Sequence, residues 1–161
     1  QATVETMLQD KNGYIWIGTN DGLNCYNGYK FKVYRQQKKN ENSIVNNYIV
    51  DLEEDDKGNI WVGTINGVSK INHSTGTITN YLQDKNEGNL SHYNIGDMII
   101  LKNGEILIGT IGGLDIYNES TDSFEPFIEK GKLTSEEIYS LDEDDNGDIW
   151  LGTTKGLNKI S

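Results

Sequence analysis

One motif of fourteen residues occurs four times in this chain, and its near-constant spacing constrains the fold more than any other feature. The segment from Asp10 to Leu23 (DKNGYIWIGTNDGL) returns from Asp55 to Val68, from Leu101 to Leu114 and from Asp144 to Leu157. Trp16, Trp61, Leu107 and Trp150 hold one motif position, at intervals of 45, 46 and 43 residues. The register extends beyond the motif: Val4, Ile49, Ile95 and Ile138 each lie 12 residues before that position. A period of this length implies an array of supersecondary units, each too small to bury its own apolar faces and therefore stacked on its neighbours.

Within a repeat the pattern is that of short strands. An apolar-rich run comes first (Thr3 to Leu8, Tyr48 to Glu53, Asn94 to Leu101, Ile138 to Glu143), followed by a turn with glycine: Asn12-Gly13, Lys57-Gly58, Asn103-Gly104 or Asn146-Gly147. Asn-Gly between alternating residues is a strong hairpin signal, because both residues tolerate positive φ. In the next strand Ile15 and Ile17 point one way and Trp16 the other, as a sheet covered on both faces requires. A second glycine turn (Asp21-Gly22, Asn66-Gly67, Gly112-Gly113, Lys155-Gly156) leads to a third strand, such as Leu23 to Tyr26. A fourth strand spans Lys30 to Tyr34, Thr77 to Tyr81 and Ser123 to Phe127. Polar stretches (Arg35 to Asn47, Leu82 to Tyr93, Ile128 to Glu137) separate the repeats. The expected fold is all-β: a β-propeller-type array of four four-stranded antiparallel blades, or a piece of a larger propeller. The blade-like repeats are expected at about 1–34, 46–81, 92–127 and 136–161, the last lacking its outer strand. Uncovered apolar faces at the two ends would favour closure into a four-blade ring or self-association.

Charge narrows the partners. A formal net charge of −11, with no basic stripe, opposes nucleic acid and anionic membranes. The single cysteine, Cys25, forms no internal disulfide. No run approaches the ~18 apolar residues of a membrane span. The chain opens inside a repeat, so it reads as an excised piece of something longer.

Few side chains announce chemistry. Asp142 to Asp148 (DEDDNGD) matches the first half of a calcium loop, but the twelfth position, where a bidentate Glu belongs, is Thr153. The plainer reading is the hairpin turn shared by all four repeats, and no metal is expected. His73 and His92 stand apart in turn or loop stretches, and Cys25 occupies the position of Lys70, Ile116 and Lys159, a poor place for a required nucleophile. No carboxylate pair is marked as general acid and base, so no catalytic residue and no cofactor are expected. The ligand-binding candidates are Tyr48, Tyr93 and Tyr139, at or near the start of successive first strands, with Arg35 on the same expected face. Tyrosine there would offer a rigid aromatic surface with a polar tip, suited to a sugar ring.

The repeat, D-x-x-G-x-I-W-x-G-T-x-x-G-L, differs from the WD40 pattern and extends beyond the Asp-box of sialidases. It resembles the two-component regulator propeller repeat. Trp16, Trp61 and Trp150 carry the resemblance, together with the Gly-Thr pairs that begin at Gly18, Gly63, Gly109 and Gly152. Leu101, Leu107 and Val68 depart from it. The resemblance implies structural roles for these residues. It also implies an extracytoplasmic, periplasmic or cell-surface sensing segment of a membrane-anchored bacterial receptor, whose output is a hybrid histidine kinase or a diguanylate cyclase. The expected function is non-catalytic sensing of a small-molecule or oligosaccharide ligand, with dimerisation of the parent receptor or self-association of the chain. The alternatives are a structural or dimerisation scaffold and a propeller glycan hydrolase or lyase.

Overall fold

The computed structural model describes residues 2–83 and 89–161; part of the polar stretch expected from Leu82 to Tyr93 lies outside the described residues. It consists of strands and connecting turns. Four antiparallel sheets follow one another along the chain. The first contains β1 (Val4–Gln9), β2 (Ile15–Thr19), β3 (Gly22–Tyr26) and β4 (Phe31–Tyr34). The second contains β5 (Ile49–Glu54), β6 (Ile60–Thr64), β7 (Gly67–Ile71) and β8 (Ile78–Tyr81). The third contains β9 (Ile95–Ile100), β10 (Ile106–Thr110), β11 (Gly113–Asn118) and β12 (Ser123–Pro126). The fourth has three strands, β13 (Ile138–Glu143), β14 (Ile149–Thr153) and β15 (Gly156–Ile160). Each sheet is an up-and-down meander in chain order, the form of a propeller blade. Strand limits fall within a residue or two of those expected from the repeat.

The motif explains the meander. The β2–β3 turn has two residues between Thr19 and Gly22, which face each other across the ladder. Thr19 Oγ1 donates to the Gly22 carbonyl at 2.8 Å and accepts the Asp21 N–H at 3.0 Å. Thr64, Thr110 and Thr153 repeat both bonds in the other sheets. Gly22 sits at φ 116°, a conformation that L side chains resist.

The chain divides into two compact units, Gln1–Asn80 and Tyr81–Ser161. In the first, one core joins two sheets: Trp16 and Leu23 pack with Ile49, Leu52, Ile60, Val62 and Ile71. In the second, the same motif positions build the same core from Leu107, Leu114, Ile138, Leu141, Ile149, Leu151 and Ile160. Close approach of the sheets depends on the glycine of the Gly-Thr pair. A Cβ on Gly18 would lie 2.6 Å from Ile49 Cγ2, and one on Gly109 would lie 2.6 Å from Ile138 Cγ2.

The loop entering each of the second, third and fourth blades is clamped by a polar residue on that blade's third strand. Ser69 Oγ accepts the Val45 N–H at 2.9 Å. Asp115, fully buried, accepts from Ser91 N and Ser91 Oγ at 2.8 and 2.5 Å. Asn158 Oδ1 accepts the Thr134 N–H at 3.0 Å. Desolvation raises the Asp115 carboxyl to about 6, against the opposing pull of its Ser91 hydrogen bonds.

Candidate functional site

Two groups of side chains are candidates for ligand recognition. One comprises Tyr48 and Arg35 of the first unit with Tyr93 and Tyr139 of the second. All three tyrosines are exposed. They occupy three different positions, one before Ile49, two before Ile95 and one after Ile138, so they do not form a repeated ring. Tyr48 leans its hydroxyl toward Glu5 Oε1 at 3.4 Å, within the first unit. Tyr93 lies against His92 with ring centroids 4.1 Å apart. Partial burial holds His92 below the ordinary histidine value, and its Nδ1 accepts the Asn94 N–H at 3.0 Å. Tyr139 falls at the register shift between Ile138 and Ser140. The other first strands carry the same β-bulge, at Glu5, Val50 and Gly96. A bulge re-aims its residue, which accounts for the outward Tyr139. The Arg35 guanidinium is already engaged, 2.7 Å from Asp21 Oδ2.

The other group was not visible in the sequence. In the first unit, a cavity of about 930 Å3 opens between the first two sheets, lined by Asp10, Tyr14, Trp16, Lys32, Tyr34 and His73 among others. Trp16 and Tyr34 lie with ring centroids 5.7 Å apart, and the Lys32 ammonium sits 4.6 Å over the Tyr34 ring. Tyr14 is exposed and Trp16 forms part of the floor. Lys30 adds a second cation to the rim. The wall therefore combines aromatic faces with cations, in a chain whose overall charge is strongly negative.

The one carboxylate among the described residues lining this cleft, Asp10, is committed: Oδ1 accepts the N–H groups of Asn12 and Tyr14, both at 2.9 Å, and Oδ2 accepts the Trp16 indole at 2.8 Å. Cys25 is buried, and desolvation pushes its thiol up, away from a reactive thiolate. The acidic run from Asp142 to Asp148 is explained in the same way. Asp144 Oδ1 accepts from Asn146 and Asp148, its Oδ2 accepts from Trp150, and Asp148 pairs with Lys159 at 2.6 Å. The Trp150 hydrogen bond leads the effects that hold the Asp144 carboxyl below the usual range. Asn72 and Asn118 are likewise turn residues, whose Oδ1 atoms accept the N–H groups of Ser74 and Ser120.

Residues 1–21, 43–66 and 132–155 match the two component regulator propeller family. These three segments carry two-component regulator propeller repeats. The histidine kinase P4 of Formosa agariphila is 46% identical over 44 residues, covering 27% of this chain and 3% of that protein. Among solved structures, the extracellular domain ascribed to a hybrid two component system of B. thetaiotaomicron superposes with a TM-score of 0.87 at 23% identity. That match covers 98% of this chain and 23% of that one. A catalytically inactive virginiamycin B lyase from Staphylococcus aureus, solved with quinupristin, superposes with a TM-score of 0.69 at 13% identity, over 100% of this chain and 56% of that one. These likenesses establish the blade fold. The propeller repeats described here thus span a small fraction of the histidine kinase and under a quarter of the receptor domain.

Proposed function

We propose that these propeller repeats form a non-catalytic, ligand-sensing segment in the extracytoplasmic part of a bacterial membrane receptor, and that the ligand is a carbohydrate. The match of three segments to the regulator propeller family carries the sensing role, and the similarity to a histidine kinase and to a receptor's extracellular domain supports the location. The cleft of the first unit supports the ligand class. Aromatic walls suit the apolar face of a pyranose, and Lys30 and Lys32 suit a carboxylate on a uronic acid. Tyr48 in the first unit and Tyr93 and Tyr139 in the second offer further exposed rings for stacking, whereas Arg35 is held by Asp21.

The test is titration calorimetry of the chain with neutral and uronic-acid oligosaccharides. The expected result is saturable binding of one class, lost in Tyr14→Ala and weakened at least tenfold in Lys32→Ala. Loss in Tyr48→Ala alone would move the site from the cleft to the surface around Tyr48. Silence toward every sugar would overturn the carbohydrate reading in favour of a scaffold. Cleavage products after incubation would overturn the non-catalytic one, a reading kept in view by the lyase likeness.

A further inference from the structure

Asn-Gly is the dipeptide in which an asparagine side chain is most open to attack by its own backbone, because glycine has no Cβ to shield its nitrogen. The chain holds five such pairs, beginning at Asn12, Asn27, Asn66, Asn103 and Asn146. In the folded chain they differ in what the glycine N–H does. Gly13, Gly104 and Gly147 donate theirs to the carbonyls of Asp10, Leu101 and Asp144 at 2.8, 2.8 and 3.1 Å. Gly67 is buried on β7 and pairs with Thr64 across the ladder. Gly28 lies in the β3–β4 turn, exposed and at φ 92°. Its N–H has no hydrogen-bond partner among the described residues.

The same turn prepares the other reactant. Asn27 Oδ1 accepts the N–H groups of Tyr29 and Lys30 at 3.1 and 3.0 Å. An asparagine bonded to the N–H two residues on is folded back across the intervening peptide, which here brings its carboxamide carbon toward the Gly28 nitrogen. Two N–H groups on Oδ1 polarise that carbonyl and stand where the oxyanion of a tetrahedral intermediate forms. Asn103 Oδ1 accepts one such N–H, from Glu105 at 2.9 Å, but the nitrogen of its glycine is committed. The β3–β4 turn is itself held in shape. Tyr26 stacks on Phe31 with ring centroids 4.8 Å apart, and its hydroxyl donates to the Gly28 carbonyl at 2.7 Å.

We propose that Asn27 is the deamidation site of this chain, reacting with the Gly28 nitrogen through a succinimide ahead of the other four pairs. The Gly28 nitrogen gives its proton to water and bonds to Asn27 Cγ. The Cγ–Nδ2 bond breaks, and Nδ2 takes up a proton and leaves as ammonia. Water then opens the ring. Breaking the new Cγ–N bond gives aspartate, and breaking the original peptide C–N bond gives isoaspartate. Either product carries a carboxylate where Asn27 lines the cleft of the first unit with Lys30, so that rim loses positive charge. The effect on an anionic sugar rests on the reading of the cleft given above; the deamidation does not.

The test follows each Asn-Gly peptide by mass spectrometry as the native chain ages at mildly alkaline pH in heavy-oxygen water, beside the same chain unfolded in guanidinium chloride. Unfolding releases every glycine N–H, so there the five pairs are expected to react at similar rates. In the native chain Asn27 is expected to react fastest, with the other four slower by roughly tenfold, the rate equivalent of first breaking a backbone hydrogen bond. Heavy oxygen in both aspartate and isoaspartate at position 27 is the expected mark of the succinimide. A native chain in which another pair reacts as fast as Asn27 overturns the proposal. So does an Asn27 that stays intact, or one that yields aspartate alone, the product of direct hydrolysis.

Discussion

The indole N–H of Trp16 is donated to Asp10 Oδ2 at 2.8 Å, inside a buried corner where Asp10 Oδ1 also holds the N–H groups of the β1–β2 turn. The pair recurs as Trp61 with Asp55 and Trp150 with Asp144, each at 3.0 Å. In the third sheet both members are leucine, Leu101 and Leu107. A buried donor without its acceptor costs more than the bond is worth, whereas losing both partners to apolar groups can be nearly neutral. The leucine pair thus strands neither a donor nor a carboxylate.

Replacing Asp10 by Ala removes an acceptor for three N–H groups and strands the indole donor. The expected cost is about 2–4 kcal/mol in urea unfolding. Trp16→Phe removes the indole donor while leaving the turn bonds of Asp10 intact, and should cost less than Asp10→Ala.

Gly109→Ala would drive a methyl to within 2.6 Å of Ile138 Cγ2. Overpacking of this kind typically costs ~1–3 kcal/mol. Adding Ile138→Ala removes the opposing methyl, so the double variant should lose less stability than the two singles summed. Full additivity in the unfolding midpoints would show that Gly109 is not the point of contact.

Much of this was legible in the sequence because the repeat states it four times. The strands, the glycine turns and the Gly-Thr clip recur with the same residue types, and a recurring residue in a recurring place is a readable signal. The clamp on the incoming loops was hidden because Ser69, Asp115 and Asn158 share a task without sharing a residue type. The β-bulge was hidden for the same reason, since Glu5, Val50, Gly96 and Tyr139 have nothing chemical in common. The cleft was invisible because it exists only once two sheets pack, drawing Tyr14 and Lys32 from one and His73 from the other.

Asp115 should make stability depend on pH in the unusual direction. In the folded chain its carboxyl keeps a proton up to about 6, while the ordinary value is 3.8. Between those values the folded state binds more protons than the unfolded one, so stability falls as pH rises through that window. The full effect is on the order of 3 kcal/mol. Asp115→Asn cannot titrate and retains an acceptor for Ser91, as Asn158 does for Thr134. Urea midpoints from about pH 4 to 7 should decline more steeply in the wild type than in Asp115→Asn. Parallel curves would refute the assignment to Asp115.

The coupling between Asp10 and Trp16 can be tested by building the third sheet's solution into the first. Trp16→Leu alone leaves Asp10 with its turn bonds but opens a void in the core shared with Ile49 and Ile60. Asp10→Leu alone leaves the indole N–H buried with no acceptor. The double variant Asp10→Leu, Trp16→Leu reproduces Leu101 and Leu107, strands no donor and lets the new leucine fill part of the void. Contacting residues show interaction energies of about 0.5–3 kcal/mol in such cycles. The double variant should therefore be more stable than the sum of the singles predicts by roughly 1–2 kcal/mol. An unfolding cycle that closes to zero would mean that the hydrogen bond between Asp10 and Trp16 adds nothing to the blade.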